Sequence, residues 1–217
     1  MFALDVSFIA EDGITILFGP SGAGKTTTLR AIAGIIRPDE GHIAVGGRTF
    51  FDSAKRVSIS IQERRVGYVF QDYALFPHLT GEQNVSYGLK EESEATRRDR
   101  AREVLSLFKV EHVRDRYPQN MSGGEQQRIA LARALASNPS VVLLDEPLSA
   151  VDLETRSGLL DEVAAAQARF RIPFLYVTHN TTEALRLGSH VVLLDKGRVK
   201  ATGFPAEIFN QLAEVNS

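Results

Sequence analysis

The chain has 217 residues, 43% of them hydrophobic and 24% charged, which is ordinary for a globular protein with a sizeable buried core. Its net charge of −2 indicates no basic surface for nucleic acid or anionic lipid, and the lack of cysteine excludes disulfides and thiol chemistry. No apolar stretch approaches the roughly 20 residues of a membrane-spanning helix.

The first predicted element is a strand that runs into a glycine-rich turn and a helix. Ile14–Phe18 predicts a buried strand, and Thr27–Ala33 predicts a helix that ends at Gly34. The turn fits G-x-x-x-x-G-K-[S/T], in which backbone N–H groups surround phosphate, the lysine reaches the outer phosphates and the hydroxyl holds magnesium. The predicted nucleotide-binding residues are Gly19, Pro20, Ser21, Gly22, Ala23, Gly24, Lys25, Thr26 and Thr27.

Two segments depart from a plain series of buried strands and helices. Gly41–Phe51 alternates around Gly46-Gly47 and predicts a β-hairpin, which with the N-terminal run Ala3–Ile9 indicates a small antiparallel layer. From about residue 72 to 138 the sequence has no clear strand and is rich in helix formers. We therefore predict an inserted helical lobe.

Within this lobe, Met121–Arg128 predicts a helix start. Ser122 and Glu125 have the spacing of a capping box, which explains such a start without any ligand. Capping does not call for the two glycines that follow Ser122, each of which costs up to about 1 kcal/mol relative to alanine. Bare backbone here indicates a second phosphate-contacting surface, although one chain offers no obvious way for it to share a nucleotide with the first.

An acidic pair ends the next predicted strand, Val141–Asp145. Taken alone, Asp145-Glu146 is as readily a solvated strand end as a functional site. With a phosphate loop in the same chain, one carboxylate can hold magnesium while the other orients and deprotonates an attacking water. The pair therefore predicts nucleotide hydrolysis.

Five apolar runs are continuous rather than alternating, which is typical of parallel strands covered on both faces in an α/β fold. The first is followed by the phosphate loop, the second by Gln71, the third by the acidic pair and the fourth by His179. Ligands bind at the carboxyl ends of such strands, so these groups are expected to converge. The runs are Ile14–Phe18, Val66–Phe70, Val141–Asp145, Phe174–Thr178 and Val191–Asp195.

Together these residues resemble the nucleotide-binding subunit of an ABC transporter, over about residues 14 to 203. The phosphate loop and the strand that ends in Asp145-Glu146 occur in many nucleotide hydrolases. The segment Ser122-Gly123-Gly124-Glu125-Gln126 is specific to this family, which usually has Leu where this chain has Met121. The residues that match the remaining motifs, in the family's order, are Gln71, Ser149-Ala150-Val151-Asp152 and His179.

The resemblance implies an α/β fold: a P-loop NTPase core with a mostly parallel sheet, a small antiparallel β layer and an inserted helical lobe. It implies one ATPase domain over residues 1–217, with a core of about 1–71 and 139–217 and a lobe of about 72–138. Many importer subunits of this family continue into a regulatory C-terminal β domain, and we expect none here because 217 residues leave no room for it. Only 18 residues precede Gly19, and Phe2 lies too close to it to be the family's adenine-stacking aromatic. Either a preceding segment is missing or another residue stacks.

By the same resemblance, the site binds ATP and Mg²⁺ and hydrolyses ATP. Glu146 is then the general base, and His179 contacts the terminal phosphate. The residues assigned to catalysis are Glu146, His179, Lys25 and Gln71, and those on the magnesium side are Thr26, Gln71 and Asp145.

The family pattern also implies a head-to-tail homodimer. Each ATP lies between the phosphate loop of one chain and Ser122, Gly123 and Gly124 of the other, and Asp152 links the two sites. Asp72–Thr80 matches the region that contacts membrane permease subunits, although its aromatics can equally belong to the core of the lobe. A solute-binding protein is implied as a further partner, nucleic acid is not, and the expected location is the cytoplasmic face of the membrane.

The segments Glu63–His78 and Leu144–Ser149 are similar to those of prokaryotic importers for iron, for sugars, for polyamines and for oxyanions, sulfate among them. Molybdate or tungstate importers are the most similar. A soluble ABC-type ATPase acting on DNA or ribosomes is the alternative, and the near-neutral charge argues against it. A non-hydrolysing nucleotide switch or a phosphate-loop kinase is a third class, and the kinase would leave the Ser122 motif without a purpose.

Overall fold

The computed structural model describes residues 3–10, 12–89, 92–149 and 151–215. Phe2, considered above as an adenine-stacking residue, and Ala150 of the Ser149–Asp152 motif lie outside the described residues.

The central sheet of the described residues has six strands, and its first five are parallel. A final strand pairs antiparallel at one edge, across the turn that follows Asp195. All five predicted apolar runs are strands, so the expectation of a mostly parallel α/β sheet is confirmed. In spatial order the strands are β5 (Val66–Val69), β6 (Val141–Asp145), β7 (Phe174–Thr178), β1 (Ile14–Phe18), β8 (His190–Asp195) and β9 (Arg198–Gly203).

A second, antiparallel sheet contains the predicted hairpin. Its strands are β2 (His42–Val45), β3 (Arg48–Asp52) and β4 (Val57–Ser58). The prediction that Ala3–Ile9 joins this layer is wrong. That segment instead lies beside the large sheet, where Asp5 forms a single bridge to Arg198. Its alternate residues, Val6 and Phe8 among them, are partly buried against the core, which accounts for the apolar alternation without strand pairing.

Helices cover both faces of the central sheet, and the elements described between β5 and β6 are all helical. Short 3₁₀ turns at Tyr87–Leu89, Glu111–Val113 and Pro118–Asn120 connect the helices of that segment. None of the helices within the described ranges is long and apolar enough to cross a membrane. The helices are α1 (Lys25–Ala33), α2 (Ile61–Arg64), α3 (Gly81–Ser86), α4 (Glu94–Leu107), α5 (Gly123–Ala136), α6 (Leu153–Phe170), α7 (Thr181–Leu187) and α8 (Pro205–Val215).

The continuous apolar strands are explained by two separate cores. In β6, Val142 and Leu144 belong to the larger core, while Val141 and Leu143 belong to the smaller one, which includes Leu29 of α1. Successive side chains of a strand point to opposite faces, so a sheet that is covered on both sides needs apolar residues at every position. Because β5, β6, β7 and β1 are parallel neighbours, the residues that follow them emerge at one edge.

Candidate functional site

The glycine-rich loop between β1 and α1 is held tightly against the sheet. Gly19 has φ of 150°, and a Cβ placed there would lie 2.1 Å from the backbone oxygen of Leu194. Gly24 caps α1 in a left-handed conformation, with φ of 105°. No side chain of the described residues caps this helix, and its first turn holds no acidic residue. The start of α1 therefore presents backbone N–H groups and a partial positive charge, which together suit an anion.

Lys25 is the first residue of α1 and is 5% exposed. Its Nζ donates to the carbonyl oxygens of Gly19 and Pro20, at 2.7 and 2.9 Å. Burial lowers the pKa of this ammonium, while the carboxylates of Glu146 and Asp145 act in the opposite direction. The ammonium is therefore fixed on the loop that surrounds the predicted phosphate position, with two acids near enough to influence it.

Asp145, at the end of β6, joins the phosphate loop to the acidic strand end. The Thr26 hydroxyl donates to its Oδ1 at 2.8 Å across 119 residues of sequence, and the Tyr68 hydroxyl donates to its Oδ2 at 3.1 Å. Burial, followed by the charge of Asp145, raises the pKa of Tyr68 well above its ordinary value. Tyr68 thus remains a neutral donor, and its role in orienting Asp145 was not recognised from the sequence.

Thr26 and Asp145 provide the oxygen donors that a magnesium ion requires. Mg²⁺ in nucleotide sites typically uses one or two protein oxygens and completes its shell with water and phosphate. No group of three or more His, Cys, Asp or Glu side chains in the described part of the chain is arranged to hold a metal by itself. The donor set therefore fits an ion that arrives with a nucleotide.

Glu146 lies directly after β6, with φ of 46°, in a left-handed conformation that is unusual for a residue with a side chain. Its N–H donates to the carbonyl of Val177 at 3.1 Å, and its Oε2 lies 3.3 Å from Nδ1 of His179. The Glu146 side chain is 23% exposed and that of His179 is 67% exposed. A cavity of about 270 Å³ is lined by Ser21, Lys25, Glu146 and His179, so the phosphate loop and these two groups share one cleft.

Gln71 follows β5, the neighbour of β6, and is exposed. The hydrogen bonds of Asp145 come from Thr26 and Tyr68 and not from Gln71. The structure therefore places Gln71 at the predicted edge of the sheet, without bringing it into the Thr26–Asp145 pair.

The polar groups of Ser122 and Glu125 at the start of α5 form hydrogen bonds with one another. The Ser122 hydroxyl accepts from the N–H of Glu125 and donates to its Oε2, which also accepts the N–H of Ser122. Met121, which stands where the family usually has leucine, is buried in the core. Neither Ser122 nor the glycines after it line the cleft that holds Lys25 and Glu146.

The two glycines of this helix start differ in what surrounds them. A Cβ at Gly124 would lie 3.1 Å from Cγ2 of Thr155, so close packing of α6 accounts for that glycine. A Cβ at Gly123 would meet no described atom within 4 Å. Gly123 therefore has no steric requirement within the described part of the chain.

Asp152 is exposed and caps α6, accepting the N–H of Thr155 at 2.9 Å. It does not line the cleft. The predicted residues thus form two groups: one around Lys25, Thr26, Asp145, Glu146 and His179, and the other at the starts of α5 and α6.

Comparison with known proteins gives consistent matches. The family described as ABC transporter matches residues 4–149. The molybdenum import ATP-binding protein ModC of Brucella melitensis is 45% identical over 209 residues, which are 96% of this chain and 58% of that protein. ModC of Pasteurella multocida is 45% identical over 193 residues, covering 89% of this chain and 54% of that protein. The chain thus spans little more than half the length of these relatives.

Solved structures show the same fold. The dimeric post-hydrolysis state of the ATP-binding cassette MJ0796, bound to ADP and Pi, has a TM-score of 0.78 and 30% identity, covering 93% of this chain and 89% of that one. The cbiO1 protein of Clostridium perfringens, part of the ABC transporter complex cbiONQ, has a TM-score of 0.81 and 28% identity, covering 94% of this chain and 82% of that one.

Proposed function

The chain belongs to the ABC transporter family, and we propose that it binds and hydrolyses ATP to power solute import through a membrane permease. The observation that carries the proposal is the single cleft in which the phosphate loop, Lys25, Glu146 and His179 meet, with Thr26 bonded to Asp145 beside it. This arrangement joins an anion site, an oxygen pair suited to magnesium and a carboxylate near the position of the terminal phosphate.

In this proposal, hydrolysis is an in-line attack by water on the terminal phosphate. Lys25 and the N–H groups at the start of α1 bind the phosphates and stabilise their charge. Glu146 orients the attacking water and accepts its proton, while His179, 3.3 Å away, contacts the terminal phosphate. Thr26 and Asp145, with Gln71 at the same sheet edge, would hold Mg²⁺, which when bound neutralises phosphate charge.

We further propose that the active form is a head-to-tail dimer. The Ser122 helix start lies outside the cleft of its own chain, and Gly123 leaves bare backbone there. A second chain supplying this surface would complete each ATP site, with Asp152 linking the two. The cassette MJ0796, a structural relative, is dimeric in its state bound to ADP and Pi, which supports a dimer as the active form.

A complementation experiment tests the dimer directly. Lys25→Ala removes the phosphate-binding ammonium, and Gly123→Glu places a negative charge facing the partner's phosphates while favouring the helix start. Each variant alone is expected to lose ATPase activity. An equal mixture of the two variants should regain activity. About half of its dimers contain one chain of each variant, and one of the two sites in such a dimer is intact, so roughly a quarter of all sites are active. No recovery on mixing, with dimers present by light scattering, would contradict shared sites.

The dependence of hydrolysis on protein concentration provides a simpler first measurement. Specific activity that rises with concentration and then saturates supports sites shared between chains. Constant activity from a protein that sedimentation shows to be monomeric would mean that one chain is complete. No hydrolysis at saturating ATP and Mg²⁺ would remove the proposed activity for this chain by itself.

We propose an oxyanion of the molybdate or tungstate type as the solute, because the ModC relatives are named for molybdenum import. The permease surface would lie in the lobe of residues 72–138. There Phe76 packs on Tyr87 with ring centroids 4.3 Å apart, whereas Tyr73 is buried in the core. Molybdenum uptake in cells that depend on this chain should fall to background with Glu146→Gln. Unchanged molybdenum uptake, with loss of another solute, would favour one of the other importer classes.

A further inference from the structure

A partly buried ion pair joins α6 and α7 beside the proposed catalytic cleft. Arg156 Nη1 lies 3.6 Å from Oε1 of Glu183, with side-chain exposures of 21% and 6%. Nothing in the sequence motifs pointed to either residue. Both line a cavity of about 80 Å³ that is also lined by Glu146 and His179.

The Arg156 end holds the turn that follows Glu146. Its Nη2 donates to the carbonyl oxygens of Leu148 and Val151, at 3.1 and 3.2 Å. The Ser149 hydroxyl donates to the carbonyl of Glu146 at 2.9 Å within the same turn. Arg156 therefore holds the backbone of this turn at Leu148 and Val151.

The Glu183 end holds the residues on either side of His179. Its Oε2 accepts from the hydroxyls of Thr178, at 2.8 Å, and Tyr176, at 3.0 Å. The Thr178 hydroxyl oxygen in turn accepts the N–H of Asn180 at 3.0 Å. Burial and the charge of Glu183 raise the pKa of Tyr176, so this hydroxyl stays a donor.

From these contacts we infer that Arg156 and Glu183 are positioning residues, which set the placement of His179 and of the Asp152 turn relative to Glu146. The inference rests on the proposed ATP hydrolysis. The pair touches neither the phosphate loop nor the Thr26–Asp145 pair, so it acts on the hydrolytic geometry and not on ATP binding. It is also not the only link between its two helices, because Arg186 binds Ser157 and Asp161 at their exposed side.

The decisive variant is Glu183→Gln, because the amide oxygen still accepts from Thr178 and Tyr176 while the charge that faces Arg156 is lost. Arg156→Ala removes the other end, and Arg186→Ala is the matched control on the same helices. We expect kcat to fall about 10- to 100-fold in both pair variants, with KM for ATP changed less than about threefold. Arg156→Ala with Glu183→Gln should be no slower than the slower single variant, and Arg186→Ala should match the wild type.

Wild-type kcat in Glu183→Gln, or equal loss in Arg186→Ala, would overturn the inference. So would a raised KM with unchanged kcat. Should Arg156→Ala fail to fold, Glu183→Gln and Arg156→Lys carry the test, and kcat of Arg156→Lys is expected to lie between those of the wild type and of Glu183→Gln.

Hydrogen exchange separates this inference from the proposed function. If the wild-type chain hydrolyses no ATP, the proposed function fails, and the pair is judged by amide exchange in residues 147–152 and 178–183. Faster exchange confined to both segments in Glu183→Gln, and absent in Arg186→Ala, supports the inference. Unchanged exchange in either segment contradicts it.

Discussion

The starts of α1 and α5 are both rich in glycine, but they differ in how their backbone N–H groups are capped. At α1 no side chain of the described residues caps the helix, and Lys25 and Thr26 lie beside the bare N–H groups. At α5 the Ser122–Glu125 capping box occupies the same kind of groups. The first start is prepared for an anion, whereas the second is stable without a ligand.

This difference shows that, within one chain, the α1 start is the one suited to bind an anion. The α1 start needs glycines in left-handed backbone conformations and a buried ammonium, and both suit a bound phosphate. The α5 start makes no such demand, because Gly124 has a packing reason in Thr155 and Gly123 adds bare backbone without one. A surface of this second kind can serve a partner chain while costing its own chain little.

The largest expected effect comes from Glu146→Gln, in the cleft that also contains Lys25 at the start of α1. Loss of the proposed general base should lower kcat by about 10²- to 10⁴-fold, while ATP binding persists because Lys25 and the loop are intact. Steady-state hydrolysis and binding of a fluorescent ATP analogue check this, with Glu94→Gln on the exposed surface of α4 as the control. Near-normal turnover would remove Glu146 from the role.

Gly19→Ala should break the phosphate loop itself. The added Cβ would lie 2.1 Å from the oxygen of Leu194, so we expect the free energy of unfolding to fall by about 2–4 kcal/mol and ATP binding to weaken strongly. Gly41→Ala is the control, since Gly41 has φ of 117° but open space around it. Equal losses of stability in the two variants, measured by urea unfolding, would mean that backbone strain and not the contact dominates.

Gly123→Ala tests the α5 side, and its effects on stability and activity should differ in sign. The methyl group meets no described atom within 4 Å, so stability should be unchanged or higher by up to about 1 kcal/mol. Turnover should fall about tenfold or more if the partner's phosphate approaches this backbone. Gly158→Ala, another open helical glycine, should gain stability without losing turnover. Full activity in Gly123→Ala would remove this glycine from the ATP site.

The smallest expected effect concerns pH and the α5 cap. The hydrogen bond from the N–H of Ser122 is the main reason that the pKa of Glu125 lies below its ordinary value. The Ser122 hydroxyl and His112 lower it further. The stability that the cap contributes is therefore present above the unfolded pKa of about 4.3 and is lost as pH falls through the lower folded value. The difference in unfolding free energy between wild type and Glu125→Gln should shrink below about pH 4, also in a His112→Gln background. A difference independent of pH would contradict this.

The strands and the predicted edge of the sheet could be derived from the sequence, because two-sided burial leaves a continuous apolar run and parallel pairing brings the strand ends together. The pairing of Thr26 with Asp145 across 119 residues follows from that topology. The N-terminal run was misplaced because an alternating pattern reports partial burial and not which edge a segment joins. Tyr68, Arg156 and Glu183 were missed for another reason: their roles depend on which side chains meet between elements, and no spacing records that.

The left-handed backbone of Glu146 separates what the fold needs at this position from what its side chain provides. Its φ of 46° is one that glycine or asparagine adopts more readily than glutamate. Either replacement is therefore compatible with the local backbone, but it removes the carboxylate that lies beside His179. The fold itself does not require glutamate here, and any reason for it lies in its side chain.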